Sequence, residues 1–137
     1  MDGTTIAVQA EILVPVEEAW KSWTSPEDIK QWNNASNDWH TPKAKNDLKK
    51  GGRFVYRMEA RDKSSGFDFS GTYTEVVPNK LISYTIDDDR KVIVEFRAHK
   101  DRTTIIETFE AEQSNPIELQ REGWQAILNN FKHYVEK

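Results

Sequence analysis

The sequence predicts an α+β fold in which one curved antiparallel sheet carries a long C-terminal helix. Three observations predict it. Asn115 to Val135 holds the clearest helical period of the chain, with Trp124, Ile127, Leu128, Phe131, Tyr134 and Val135 recurring at three- and four-residue spacing. Most of the chain before it reads as strands joined by short turns. The stripe on this helix is heavily apolar and aromatic and, at about 20 residues and about 30 Å, it needs a broad surface to lie on. A curved sheet supplies one.

The elements follow in order. Thr4 to Val14 alternates, with Ile6, Val8, Ala10 and Ile12 on one face, and reads as a strand that Pro15 ends. Val16, Ala19, Trp20 and Trp23 then fall at helical spacing, with Glu17 and Glu18 early, where the helix dipole favours acids. Ser25-Pro26-Glu27-Asp28 starts a second short helix, serine as cap and proline at the first position, whose buried face is Ile29 and Trp32. Asn33 to Asn46 has no period, contains Trp39, His40 and Pro42, and reads as a loop. Paired glycines close the turn Asp47 to Gly52.

Strands are then predicted at Arg53 to Ala60, Phe67 to Val77, Lys80 to Ile86, Lys91 to Ala98 and Thr103 to Ala111. Their turns fall at Lys63 to Gly66, Pro78-Asn79, Asp87 to Arg90 and Lys100-Asp101. Short turns make these strands neighbours in chain order. At the last helix Asn115 is the expected cap, Pro116 the first helical residue, and Glu118 the capping-box acid.

At 137 residues the chain is expected to form one domain, residues 1–137, with a real core. A net charge of −4 weighs against a nucleic-acid or anionic-membrane partner. With no cysteine, neither disulfides nor thiolate metal sites hold the fold. Met1 to Gln9 lacks the pattern of a signal sequence, and no stretch approaches the roughly 18 apolar residues of a membrane span, so a cytoplasmic protein is expected.

Motifs of catalysis are sparse. Gly51-Gly52 lacks the flanking glycines and lysine–serine pair of a phosphate loop, and no Gly-x-Ser-x-Gly elbow occurs. His40, His99 and His133 have no second ligand at helical spacing, so no metal site is expected. Asp87-Asp88-Asp89 reads as a solvated hairpin tip, and Lys43, Lys45, Lys49 and Lys50 as solvated surface.

The aromatic faces are the informative feature, in a chain with five tryptophans. Phe54, Tyr56, Phe69, Tyr73, Tyr84, Phe96 and Trp124 either pack as plain core or line a pocket that a strongly curved sheet leaves unfilled. Glu107 is chemically odd. If Ile105 and Phe109 face inward, period-two alternation takes Glu107 in with them, and a carboxylate there needs a partner or a raised pKa. The other register puts Ile106 inside and Glu107 in water. Glu75, following Gly71 and Tyr73, presents the same choice.

A resemblance accompanies these residues. Ala19-Trp20, Trp23-Thr24-Ser25-Pro26-Glu27, Trp32, Asp47-Leu48, Gly51-Gly52-Arg53-Phe54, Met58, Gly71-Thr72-Tyr73, Glu75-Val76-Val77-Pro78 and Gly123-Trp124 together resemble the domain named for the activator of Hsp90 ATPase. That domain belongs to the START-like, Bet v 1-like superfamily. The resemblance implies a helix-grip fold, an antiparallel sheet wrapped around a long C-terminal helix with two short helices closing one end.

For function it implies a choice between a ligand-binding module, a chaperone regulator and a cyclase- or hydrolase-like enzyme. The chain has the length of the stand-alone domains and lacks the amino-terminal region that accompanies the co-chaperone domain, which weighs against Hsp90 activation. The expected function is therefore binding of a small, largely apolar or aromatic molecule between sheet and helix, with no cofactor, as a monomer or weak homodimer. A chaperone is the alternative partner. Its expected site residues are Trp39, Phe54, Tyr56, Met58, Phe69, Tyr73, Phe96, Glu107 and Trp124, with the corner from Trp20 to Trp32 and the loop after it forming the mouth.

Overall fold

A computed structural model describes residues 4–137; Met1 to Gly3, the start of the stretch read for a signal sequence, lie outside the described residues. The elements are β1 (Thr5–Ile12), α1 (Val16–Thr24), α2 (Pro26–Trp32), β2 (Trp39–Asn46), β3 (Arg53–Ala60), β4 (Gly66–Val77), β5 (Leu81–Ile86), β6 (Lys91–His99), β7 (Arg102–Glu110) and α3 (Ile117–Val135). The strands form one seven-stranded antiparallel sheet in the order β1-β7-β6-β5-β4-β3-β2. Tight turns make β2 to β7 a meander, and only β1 is placed by a long-range pairing, beside β7. The four turns from β3 to β7 each carry one residue in the left-handed region, Lys63, Asn79, Asp89 and Lys100, and the β2–β3 turn carries Gly51 there. This is the α+β helix-grip architecture.

The stretch expected as a loop, Asn33 to Asn46, contains β2. Its strand residues, WHTPKAKN, hold little β-forming character, and Pro42 argues against a central strand. An edge position removes that objection. β2 pairs only with β3, and the register shifts between His40 and Lys43, so Pro42 sits at the irregularity.

The β1 edge of the sheet is covered by side chains, which blunts its tendency to pair with other chains. Along β1, α3 sends Arg121, Gln125 and Lys132 to the carbonyls of Ala7 (3.2 Å), Gln9 (3.1 Å) and Glu11 (2.7 Å). These carbonyls alternate along one strand edge, while their donors recur along one helix face. Glu136 accepts from the Leu13 amide at 2.8 Å and closes the row. On the β2 side, Asn46 donates to the Thr24 carbonyl (2.7 Å) and Thr41 to that of Asn33 (2.6 Å).

Two helix starts differ from expectation. α3 begins at Ile117, with Pro116 at the cap and no side-chain cap bond, so Asn115 and Glu118 form no capping box. Gln120, only 8% exposed, instead ties down the segment that leads into the helix. Its Oε1 accepts from the Glu112 amide (2.8 Å), and its Nε2 donates to the carbonyls of Asn115 (2.8 Å) and Glu112 (3.2 Å). Ser25 precedes α2 without a side-chain cap bond, while Pro26 stands at the first turn as expected.

The core lies between the concave sheet face and the helices. Ile6, Ile12, Val92, Val94, Ile105 and Phe109 from the sheet meet Leu128 and Phe131 of α3, all buried. Phe131 packs edge-on against Trp23 and Trp32, each with its ring centroid 4.9 Å away and the two indoles 4.8 Å apart, which locks α3 to the α1–α2 corner. Tyr134 donates to Asp28 at 2.5 Å and ties the same two helices at the surface.

Candidate functional site

The sheet curls too widely for its side chains to meet α3 everywhere, and a cavity of about 250 Å³ remains between them. Of the nine expected residues, Phe54, Tyr56, Met58, Phe69, Tyr73, Glu107 and Trp124 line it. The alternation along β3 and β4 puts the first five there. Gly71 permits the arrangement: a Cβ at this position would come within 2.9 Å of the Phe54 ring and 2.4 Å of the Thr85 carbonyl. Phe54 is the hub of the wall, with Tyr84, Tyr56, Tyr73 and Phe69 at centroid distances of 4.9, 5.1, 5.3 and 5.8 Å. Trp124 lies flat on Phe109 (3.9 Å, 11° between planes) and meets Phe69 edge-on at 6.2 Å.

Phe96 and Trp39 lie elsewhere. Phe96 faces the concave side, as its strand alternation requires, but α1 covers it: its ring touches Trp20 at 5.1 Å and Trp23 at 5.9 Å. Trp39 opens the edge strand β2, opposite Ala60, and packs against Phe67 at 5.9 Å, beside the rim rather than in the wall. The rest of the lining includes Trp23, Thr24, Trp32, Asn33, Phe67, Ile82, Tyr84, Arg90 and Ile127. Tyr84 was legible as an aromatic between the inward residues Ile82 and Ile86. Trp23 and Trp32 were legible as the buried faces of short helices, but only packing shows which of their edges reach the cavity.

The two ambiguous glutamates part ways. Glu107 faces inward, in register with Val8 on one side and Val94 on the other, and is 5% exposed. Burial alone pushes its pKa up to about 8, with no compensating cation or donor among the described residues. Glu75 faces water. An irregularity between Tyr73 and Glu75 inserts Thr74, breaks the alternation, and turns Val76 rather than Glu75 toward the core.

Burial also raises the pKa of the Tyr56, Tyr73 and Tyr84 hydroxyls, well above the ordinary value for Tyr56 and Tyr84. The charge of Glu107 adds to the effect at Tyr84. These hydroxyls therefore stay protonated and serve as hydrogen-bond donors and acceptors.

The acidic turn after β5 is occupied by its own partners. Asp87 receives both guanidinium nitrogens of Arg53 (2.7 and 2.9 Å) and the Ser70 hydroxyl (2.6 Å), which hold its carboxyl well below the usual range. Asp88 accepts from Arg90 Nε at 2.9 Å. Among the described residues no group of three or more histidine or acidic side chains converges as a metal site. No described helix is long and apolar enough to cross a membrane.

A sheet curled around a C-terminal helix over an aromatic cavity defines a helix-grip protein of the START-like class. The chain belongs to the Activator of Hsp90 ATPase homolog 1-like family, whose model matches residues 13–136. It is similar to the solved AHSA1-like protein from Aeromonas hydrophila, with 45% identity and a TM-score of 0.91 over 97% of this chain and 92% of that one. A solved protein from Cytophaga hutchinsonii is 49% identical, with a TM-score of 0.85 over 98% and 93%. One from Nitrosomonas europaea shares the fold at 20% identity, with a TM-score of 0.81 over 96% and 94%. No curated protein matches the chain significantly.

Proposed function

We propose that this protein is a cytoplasmic binding module for a small, largely apolar or aromatic molecule held between the sheet and α3. The observation that carries this reading is the cavity, about 250 Å³ and walled by the rings of Phe54, Tyr56, Phe69, Tyr84 and Trp124. Unfilled apolar space of this size costs stability, so it is expected only where an occupant uses it. Membership of a fold family that commonly binds ligands agrees with it. Affinity comes mainly from area removed from water, at about 25 cal/mol per Å² before binding costs.

A chaperone-docking surface draws less support. The exposed large apolar residues Leu13, Phe67, Ile93 and Leu119 stand on separate segments, and β5 lies between the strands that carry Phe67 and Ile93. An enzymatic reading has one side chain in the wall with a pKa near neutrality, Glu107, since burial moves the tyrosines further away.

Native mass spectrometry of the purified protein, with extraction of what it carries, tests the reading. A small apolar or aromatic compound in stoichiometric amount is expected, as is quenching of tryptophan fluorescence when the stripped protein is titrated with it. Ile127→Trp, a change in the α3 wall where there is room, should weaken binding at least tenfold while the fold persists. Unchanged binding in that variant would place the ligand elsewhere.

A further inference from the structure

Among the described residues the cavity holds one acidic side chain and no free cation to match it. Glu107 is 5% exposed, sits between Val8 and Val94, and borders the empty space without an offsetting hydrogen bond or ion pair. Its charged and titratable neighbours in the wall are Tyr56 on β3, Tyr73 on β4, Tyr84 on β5 and Arg90 at the turn after β5. Arg90 is bound through Nε to Asp88 at 2.9 Å. The helices contribute Trp23, Thr24, Trp32, Trp124 and Ile127, all uncharged.

We infer that the ligand is a cationic amine on an aromatic or apolar body, its ammonium paired with Glu107 and its body held among the rings of Phe54, Tyr56, Phe69, Tyr84 and Trp124. This rests on the proposed binding function and specifies its ligand class. The geometry favours a cation for two independent reasons. A buried carboxyl without a partner is costly, and the missing partner fits the empty space that the carboxyl borders. The surrounding rings present electron-rich faces, which attract a cation and repel an anion. Asp and Glu are otherwise absent from the wall, so Glu107 alone marks where the charge sits.

Proton balance follows from the burial of Glu107. In the empty protein its pKa near 8 keeps it mostly neutral at neutral pH. When RNH3+ enters, the carboxyl gives its proton to solvent and the carboxylate pairs with the ammonium, so the side chain and its ligand together carry no net charge. Binding thus exchanges one cation for one proton. Affinity for the amine rises with pH up to about 8, because below that value ionising Glu107 costs about tenfold per pH unit.

Isothermal calorimetry with a matched pair of probes, 2-naphthylmethylamine as its ammonium and neutral 2-naphthylmethanol, tests this in buffers of different ionisation heat. The ammonium should bind about tenfold or more tighter than the alcohol near pH 8. It should weaken toward acid pH and release close to one proton near pH 6. In Glu107→Gln, both the preference for the ammonium and the proton release should vanish while the alcohol still binds. An alcohol that binds the native protein as tightly as the ammonium, or ammonium binding without proton release, overturns the inference and leaves the apolar-ligand reading standing. If neither probe binds, both fall.

Discussion

Glu107 shows how one residue can act on stability and on recognition together. Its pKa is about 8 in the folded chain, against an ordinary value near 4.5. The sign follows directly. Below about pH 4 the carboxyl is protonated in both states and costs the fold nothing electrostatically. As pH rises toward 8, the unfolded chain gains the freedom to ionise while the folded chain does not, so stability falls; above 8 the penalty is constant. Glu107→Gln is therefore expected to raise stability over the native protein by on the order of 4 kcal/mol near pH 8 and by little near pH 4. Denaturant midpoints of the two proteins across that range measure it; a constant difference would show that Glu107 is not buried in the neutral form. Glu107 was legible as one of two registers, because either Ile105 or Ile106 can serve as the inward residue. Glu75 obeyed no alternation at all, since the insertion at Thr74 resets the phase of β4.

At the scale of elements, α3 divides its work between two ends. Phe131 and Leu128 are fully buried and anchor the helix. Phe131→Ala should cost about 3–5 kcal/mol, as large deletions in a packed core do. Trp124 is half-buried, with one face stacked on Phe109 and another toward the cavity. Its replacement by alanine should cost less, about 2–3 kcal/mol, because it enlarges an existing space instead of opening a new one. Equal losses in urea unfolding would contradict this division.

Gly123 offers a second test on the same helix. A Cβ there would meet nothing within 4 Å. Gly123→Ala is expected to stabilise the protein by about 0.5–1 kcal/mol through helix propensity alone, visible as a raised melting temperature with unchanged ligand binding.

The whole molecule decides whether the aromatic faces are core or cavity. Seven strands curl around one helix, with Arg121, Gln125 and Lys132 fastening its polar side to the β1 edge. That attachment and the α1–α2 corner fix the helices so that α1 lies over Phe96 while the space beside Phe54 stays open. A ligand that occupies the remaining space stabilises only the folded state, by about 2.7 kcal/mol at a hundredfold excess over its Kd. The melting temperature of the stripped protein should rise accordingly when its extracted ligand is restored, and an unchanged melting temperature at saturating fluorescence quenching would show that the quenching molecule does not distinguish folded from unfolded chain.

Elements that carry their own periodic pattern could be read locally: the helix stripe from Trp124 to Val135, the alternation Phe54, Tyr56, Met58, and the turns at Lys63, Asn79, Asp89 and Lys100. Local sterics and the burial of one face suffice for these. Tertiary structure decided what depends on neighbours distant in the chain. β2 is a strand because β3 offers it an edge, although Pro42 and the lysines around it carry no strand signal of their own. Phe96 left the cavity wall because α1 lies over it, and Trp39 because its strand is outermost. Trp23, Trp32 and Tyr84 joined the wall because helix corner and sheet curl bring three remote segments around one space. Such a space is set by the angle and distance at which packed elements meet, and no single segment encodes either.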